Sequence, residues 1–198
     1  MIHKPNKNIL GYEALYKLVT ECKFKSIIDI GCGAGNHTNY LRQNGKVVTP
    51  VDFYGNVLNM KTGLYQDIKL QKHDAVWCCH VLEHVLDVNS FLKKIHKDLK
   101  EGGYLCITVP PLKHEIVGGH VTLWNAGLLM YNLVLAGFNC KNIKIKKYGY
   151  NISIIIKKET YELPKHMNYD KGDLELLEDA FPTFVHQGFN GDIENYNW

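Results

Sequence analysis

Residues able to cradle a charged ligand or move a proton gather in a few places along this chain. The first is Ile27-Ile-Asp-Ile-Gly-Cys-Gly-Ala-Gly-Asn36, where Gly31, Gly33 and Gly35 alternate directly after a short apolar run containing Asp29. Glycines at such a turn admit left-handed backbone and let a ligand lie on the main chain, because no side chain stands in the way. The spacing is G-x-G-x-G, not the G-x-G-x-x-G of dinucleotide sites. The second is Asp52, which ends the next apolar run. The third is His80-Val-Leu-Glu-His84. It matches the H-x-x-E-H pattern of inverted zinc peptidases, which needs both histidines on one helical face. This stretch follows a strand-like run instead, so the peptidase reading is set aside. The fourth is His120, after the flexible pair Gly118-Gly119. Histidine suits proton abstraction near neutral pH, and His80, His84, His114 and His120 are the candidates. His120 is favoured.

Positioning these groups takes an alternation of strands and helices. Residues 8–22 carry apolar side chains at helical spacing. Residues 26–30 read as a buried strand and 37–43 as a helix stopped near Gly45. Residues 46–53 form a second strand, and a third strand or a turn falls around Gln66-Asp67-Ile68. Residues 74–79 are the next strand. Residues 89–99 form an amphipathic helix capped by Asp87 or Asn89, then 104–109 form a strand closed by Pro110-Pro111. A helix over 124–136 and two β-like runs, 141–147 and 152–158 about Gly149, complete the core. This order predicts an α/β fold: a Rossmann-like, doubly wound, mostly parallel seven-stranded sheet with an antiparallel edge hairpin. The predicted organisation is a core domain over 1–158 and an extension over 159–198, packed on that domain or near its substrate site.

The bulk properties are those of a soluble globule. The 198 residues are 45% hydrophobic and 22% charged, with a formal net charge of +3. That charge is too small to point to nucleic acid, and no extensive Lys/Arg groove is evident. Lysines do collect between 141 and 158, ahead of an acidic tail, as on the solvent face of a hairpin. No run approaches membrane-spanning length and the first residues lack a signal-peptide core, so a cytoplasmic protein with no membrane partner is expected. The six cysteines include no C-x-x-C pair and read as reduced structural thiols.

Taken together, four pieces resemble the class I S-adenosylmethionine-dependent methyltransferases, small-molecule branch. They are Asp29-Ile-Gly-Cys-Gly-Ala-Gly35, Asp52 at the second strand end, the run His73 to Val85, and Leu99-Lys-Glu-Gly-Gly to Pro110. The run His120-Val-Thr-Leu-Trp124 leading to Leu135-Ala-Gly-Phe138 adds to them, and the resemblance covers about 8–158. It implies S-adenosylmethionine as cofactor and S-adenosylhomocysteine as product. Gly31, Cys32, Gly33 and Gly35 would hold the methionine end, with Asp29 near its amino group. Asp52 would accept the ribose hydroxyls beside Phe53, and Asp67 with Ile68 would meet the adenine. Cys79 and His80 would lie near the sulfonium. A dinucleotide enzyme is the competing reading of the glycine turn, and its glycine spacing is wrong.

The resemblance implies methylation of a hydroxyl, with His120, His84 or His80 as proton acceptor. The Asn/Asp-Pro-Pro-aromatic motif of amide and amine N-methyltransferases is absent; Trp77-Cys-Cys-His80 stands there. Some related RNA 3′-end and quinone-type enzymes hold a divalent metal in E-x-x-E-H. Here His80 replaces the first glutamate and leaves Glu83, His84 and His120, so no metal is expected. Aromatic and polar groups of the first helix with Tyr12 and Tyr16, the loop 111–122 and the tail suit a sugar or another polar small molecule, and the resemblance of the tail and Gly118-Gly-His-Val-Thr-Leu-Trp124 to methyltransferases of surface-polysaccharide pathways implies a sugar or glycan precursor within polysaccharide biosynthesis. An RNA-directed, metal-assisted methyltransferase and a non-catalytic cofactor-binding partner subunit are the alternatives. The same aromatics would equally suit a packed tail or a homodimer contact.

Overall fold

The computed structural model describes residues 2–198. In chain order the elements are α1 (Tyr12–Glu21), β1 (Ser26–Ile30), α2 (Asn36–Gln43), β2 (Val47–Asp52), β3 (Lys61–Thr62), β4 (His73–Cys79), α3 (Val88–Asp98) and β5 (Leu99–Val109). They continue with α4 (Ala126–Leu135), β6 (Lys144–Tyr148), β7 (Asn151–Lys157), α5 (Asp173–Leu176) and β8 (Asn195–Tyr196). The sheet order is β3-β2-β1-β4-β5-β7-β6-β8. The pairs among β3, β2, β1, β4 and β5 are parallel, and β7, β6 and β8 add antiparallel pairs. The fold is therefore the expected α/β Rossmann-like arrangement, with eight strands rather than seven because the tail supplies β8.

Alternation along β4 shows how the sheet is buried on both faces. Ala75, Trp77 and Cys79 pack with α1 and α2, while Val76 and Cys78 join the core under α3 and α4. That double burial is why β1 and β4 read as near-continuous apolar runs. Asp87 caps α3 by accepting from Ser90 N at 3.0 Å, and Asn125 caps α4 by accepting from Leu128 N at 2.8 Å.

Residues 65–67 form a single 3₁₀ turn, and the third strand lies earlier, at β3. With only two residues, β3 carries no alternation to read. The tail runs along the outer edge of the sheet. Leu177, Ala180 and Phe181 are buried in the core under α4, and Gly127 N donates to Gly191 O at 2.9 Å. Gly127 has no room for a side chain, since a Cβ there would lie 2.6 Å from Gly191 Cα. No helix among the described residues is long and apolar enough to cross a membrane.

Candidate functional site

Strand order reverses between β1 and β4, and in such sheets the crevice at the strands' carboxyl ends receives ligands. The glycine turn, Asp52 and His80 lie at those ends. Gly31, Gly33 and Gly35 take φ of 74°, 49° and 81°. A Cβ on Gly31 would lie 2.2 Å from Val81 Cγ2, whereas one on exposed Gly33 would meet nothing within 4 Å. Gly31 thus serves close packing of the turn onto the segment after β4, and Gly33 leaves open main chain. Gly33 N donates to Asp52 Oδ2 at 2.7 Å, and Asp52 Oδ1 accepts from Tyr54 N at 3.2 Å. A half-buried carboxylate at the tip of β2 and open glycine backbone thus form one cradle. It fits a ligand with hydroxyls for the carboxylate and a small polar end for the turn.

Asp29 is fully enclosed beneath this cradle. Its Oδ2 accepts from the Thr38 hydroxyl of α2 at 2.5 Å, while Oδ1 has no partner. Burial pushes its carboxyl above the ordinary carboxylate range, against the pull of His37 and the Thr38 hydroxyl. The structure gives Asp29 the work of tying the glycine turn to the start of α2. Cys32 is buried beside it, and burial, with Asp29 and Asp52 nearby, pushes its thiol up to about 12, so it stays neutral. Phe53 and Asp67 are exposed, Ile68 is half-buried, and Cys79 is buried at the end of β4 with its thiol driven upward by burial. Apart from Phe53, sequence reasoning did not single out loop 53–60. Its Gly55 packs against Gly33 O, and its Val57 packs against Gly35, so the loop borders the cradle.

His80 sits where the two halves of the site meet. It follows β4 with φ of 54°, a conformation that non-glycine residues adopt at a cost and that clusters at functional positions. Its ring stacks on Tyr150 with centroids 5.8 Å apart. His80 Nε2 donates to Asn151 Oδ1 at 3.1 Å, and Nδ1 lies 3.2 Å from Glu83 Oε1. Residues 82–84 form a 3₁₀ turn, not the helix that H-x-x-E-H would need. Glu83 is fully buried, and His84 is exposed on one side.

Beyond β5, the loop 110–124 folds back over this turn. Val121 N and Thr122 N both donate to Glu83 O, at 2.8 and 3.2 Å, and Thr122 Oγ1 donates to Leu82 O. His84 Nδ1 donates to Gly119 O at 2.8 Å. These bonds set His120 edge-on to His84, with ring centroids 5.0 Å apart. The loop and Tyr150 enclose a cavity of about 220 Å³. Pro110, Pro111, Ile116, Val121, Trp124 and Tyr150 give it a largely apolar wall, and His120 and Lys113 supply polar edges.

The structure therefore brings His80, Glu83, His84 and His120 together, although 36 residues separate His84 from His120 in sequence. His114 is exposed on the loop and is not among the residues lining the cavity. The tail aromatics lie elsewhere. Phe181 is in the core, Phe189 packs on Gly127, Phe184 meets Tyr196 with centroids 4.9 Å apart, and Trp198 lies under Lys17.

The profile of the methyltransferase domain family matches residues 12–133, more than half of the chain. Among curated proteins, the ubiquinone biosynthesis O-methyltransferase of Coxiella burnetii is 29% identical over 99 residues, 42% of each chain. The malonyl-[acyl-carrier protein] O-methyltransferase of Salmonella typhimurium is 28% identical over 108 residues, 48% of this chain and 43% of that protein. The chain thus spans less than half the length of these relatives. A SAM-dependent methyltransferase from Archaeoglobus fulgidus shares the fold, with a TM-score of 0.60 and 16% identity over 68% of this chain and 86% of that one.

Proposed function

The chain belongs to the methyltransferase domain family, and from that premise we propose that it moves a methyl group from S-adenosylmethionine to a hydroxyl of a small acceptor. The observation that carries this reading is the juxtaposition of two unlike compartments at the strand ends. One is the polar cradle of Gly33 and Asp52, joined at 2.7 Å. The other is the apolar cavity edged by His120. The cradle suits the ribose and the amino-acid end of the cofactor, and His80 stands between the compartments, where the sulfonium would face the acceptor.

In the reaction the carbon–sulfur bond breaks as the acceptor oxygen bonds the methyl carbon, and the hydroxyl proton leaves to a base. His120 borders the cavity and is the residue placed to take that proton. Holding both partners in line supplies much of the acceleration, roughly 7–11 kcal/mol in the best-oriented systems. The two similar curated proteins are O-methyltransferases by name. The cavity wall favours a flat or acyl-bearing hydroxylated acceptor over a sugar. The sugar expectation rested in part on tail aromatics, which lie away from the cavity, and the names of the similar proteins lend no support to a sugar or to a polysaccharide role.

The test is methyl transfer from isotopically labelled cofactor to a panel of phenols, hydroxy acids, acyl thioesters, sugars and RNA. Label in the phenolic or acyl class is the expected result. Label confined to sugars or RNA would overturn the acceptor assignment. Absence of both transfer and cofactor binding would overturn the function.

A further inference from the structure

Asn151 opens β7 and is 6% exposed. Both ends of its amide meet groups of fixed character. Nδ2 donates to Tyr148 O at 3.2 Å, and Oδ1 accepts from Gly11 N at 3.0 Å. A carbonyl can only accept and a backbone N–H can only donate, so the amide cannot be turned over. The same Oδ1 lies 3.1 Å from His80 Nε2, and that nitrogen therefore carries a proton. The other ring nitrogen, Nδ1, faces the buried Glu83 Oε1 at 3.2 Å. Both nitrogens of His80 are thus engaged by protein groups, and His80 is not among the residues lining the acceptor cavity. That is a poor arrangement for a proton acceptor and a good one for a ring held in place.

The same amide fastens the start of the chain. Gly11 has no room for a side chain, since a Cβ there would lie 2.9 Å from Cys79 Sγ at the end of β4. One residue earlier, Leu10 O accepts from His37 Nε2, in the first turn of α2, at 2.9 Å. Residues 10–11 therefore bridge from α2, past the end of β4, to Asn151 on β7. The His80 ring is also held through its face. Tyr150, next to Asn151, stacks on it with planes 25° apart and lines the cavity with its own ring. His80 N donates to Thr108 O at 2.8 Å. The φ of 54° at His80 persists because these contacts over-determine it, and such conformations cluster at functional sites. A polar network whose members are paired rigidifies what it joins. We propose that Asn151 is a positioning residue for methyl transfer. Its amide locks the His80 ring and residues 10–11 against each other where cradle and cavity meet. His80 is then a fixed wall beside the transferring methyl group, and the acceptor's proton goes elsewhere.

The role in the reaction rests on the proposed function; the lock itself does not. Protein labelled with ¹⁵N-histidine and saturated with S-adenosylhomocysteine is followed by NMR, the His80 signals being those lost in His80→Gln. Wild type should show a proton on His80 Nε2. Asn151→Asp keeps the accepting oxygen and should retain that signal. Asn151→Leu is close in volume but cannot accept, and should lose it. Turnover is then measured with the acceptor that takes label in the panel. Asn151→Leu should lower kcat by roughly 10–100-fold, the scale of a misplacement near 1 Å, with KM changed less than about threefold. Asn151→Asp should stand within about fivefold of wild type, and S-adenosylhomocysteine binding by each variant reports its folding. A wild-type His80 without a proton on Nε2, full turnover in Asn151→Leu, or Asn151→Asp as slow as Asn151→Leu overturns the proposal. Methyl transfer with the wrong ring signals defeats this inference alone. The expected ring signals in a protein that methylates nothing in the panel defeat the methyl-transfer reading, and the positioning role with it.

Discussion

Two glycines of one turn should fail in different ways when replaced by alanine. Gly31 and Gly33 both have positive φ, 74° and 49°. An alanine in that conformation costs roughly 1–2 kcal/mol at either position. At Gly33 the added methyl meets nothing within 4 Å, so the backbone cost is the whole stability effect. At Gly31 the methyl would lie 2.2 Å from Val81 Cγ2, well inside contact distance. Overpacking of that kind adds about 1–3 kcal/mol. Gly31→Ala should therefore destabilise by roughly 2–5 kcal/mol and Gly33→Ala by about 1–2 kcal/mol. Binding should show the opposite emphasis. Gly33→Ala puts a methyl on the open face of the cradle and should weaken S-adenosylhomocysteine binding at least tenfold in a protein that is still folded. The assays are urea denaturation and calorimetry on both variants. Equal destabilisation, or a Gly33→Ala protein that binds the ligand normally, would refute the assignment of Gly31 to packing and Gly33 to the ligand.

Phe181→Ala should lower stability by about 3–5 kcal/mol in urea denaturation, because the ring is 1% exposed in the core under α4; a loss under 1 kcal/mol would mean that the tail does not share the core. Asp74 is held well below the ordinary carboxylate range by the Lys100 ammonium, then by Ser26. Its contribution to stability is present above the unfolded value near 4 and is lost as pH falls toward the lower folded value. Wild type should therefore lose stability below about pH 4 more steeply than Asp74→Asn, read from denaturation midpoints against pH; parallel curves would contradict this. His120→Ala should keep S-adenosylhomocysteine affinity within twofold while turnover falls by roughly 10²–10⁴. Unchanged turnover would remove His120 from the chemistry.

The parts of the site that sequence disclosed are those carried by local pattern. The apolar run into Gly31, Gly33 and Gly35, and Asp52 at the end of β2, announce themselves because strand ends and glycine turns leave short-range signatures. The long-range parts did not. β8 joins the sheet through Asn195 and Tyr196 pairing with Lys146 and Ile145, and two residues carry no periodicity. Composition left the aromatic tail open to a substrate wall or to packing on the domain, and its place is set by contacts such as the approach of Gly191 to Gly127, visible only in the fold. Spacing suggested that His80 and His84 share a helical face, yet His80 leaves β4 at φ of 54° and a 3₁₀ turn follows. The meeting of Glu83, His84 and His120 depends on a loop bonded back to the Glu83 carbonyl. No pattern in residues 80–84 contains that loop.

The central claim is that the Gly33–Asp52 cradle holds S-adenosylmethionine for methyl transfer. The direct measurement is a calorimetric titration of S-adenosylhomocysteine into wild type and Asp52→Ala. The account predicts one site per chain in wild type. Removal of charge-assisted hydrogen bonds worth roughly 1.5–3 kcal/mol should weaken it ~10–150-fold in Asp52→Ala. No heat of binding in wild type at high micromolar ligand, or equal affinity in the two proteins, would contradict it.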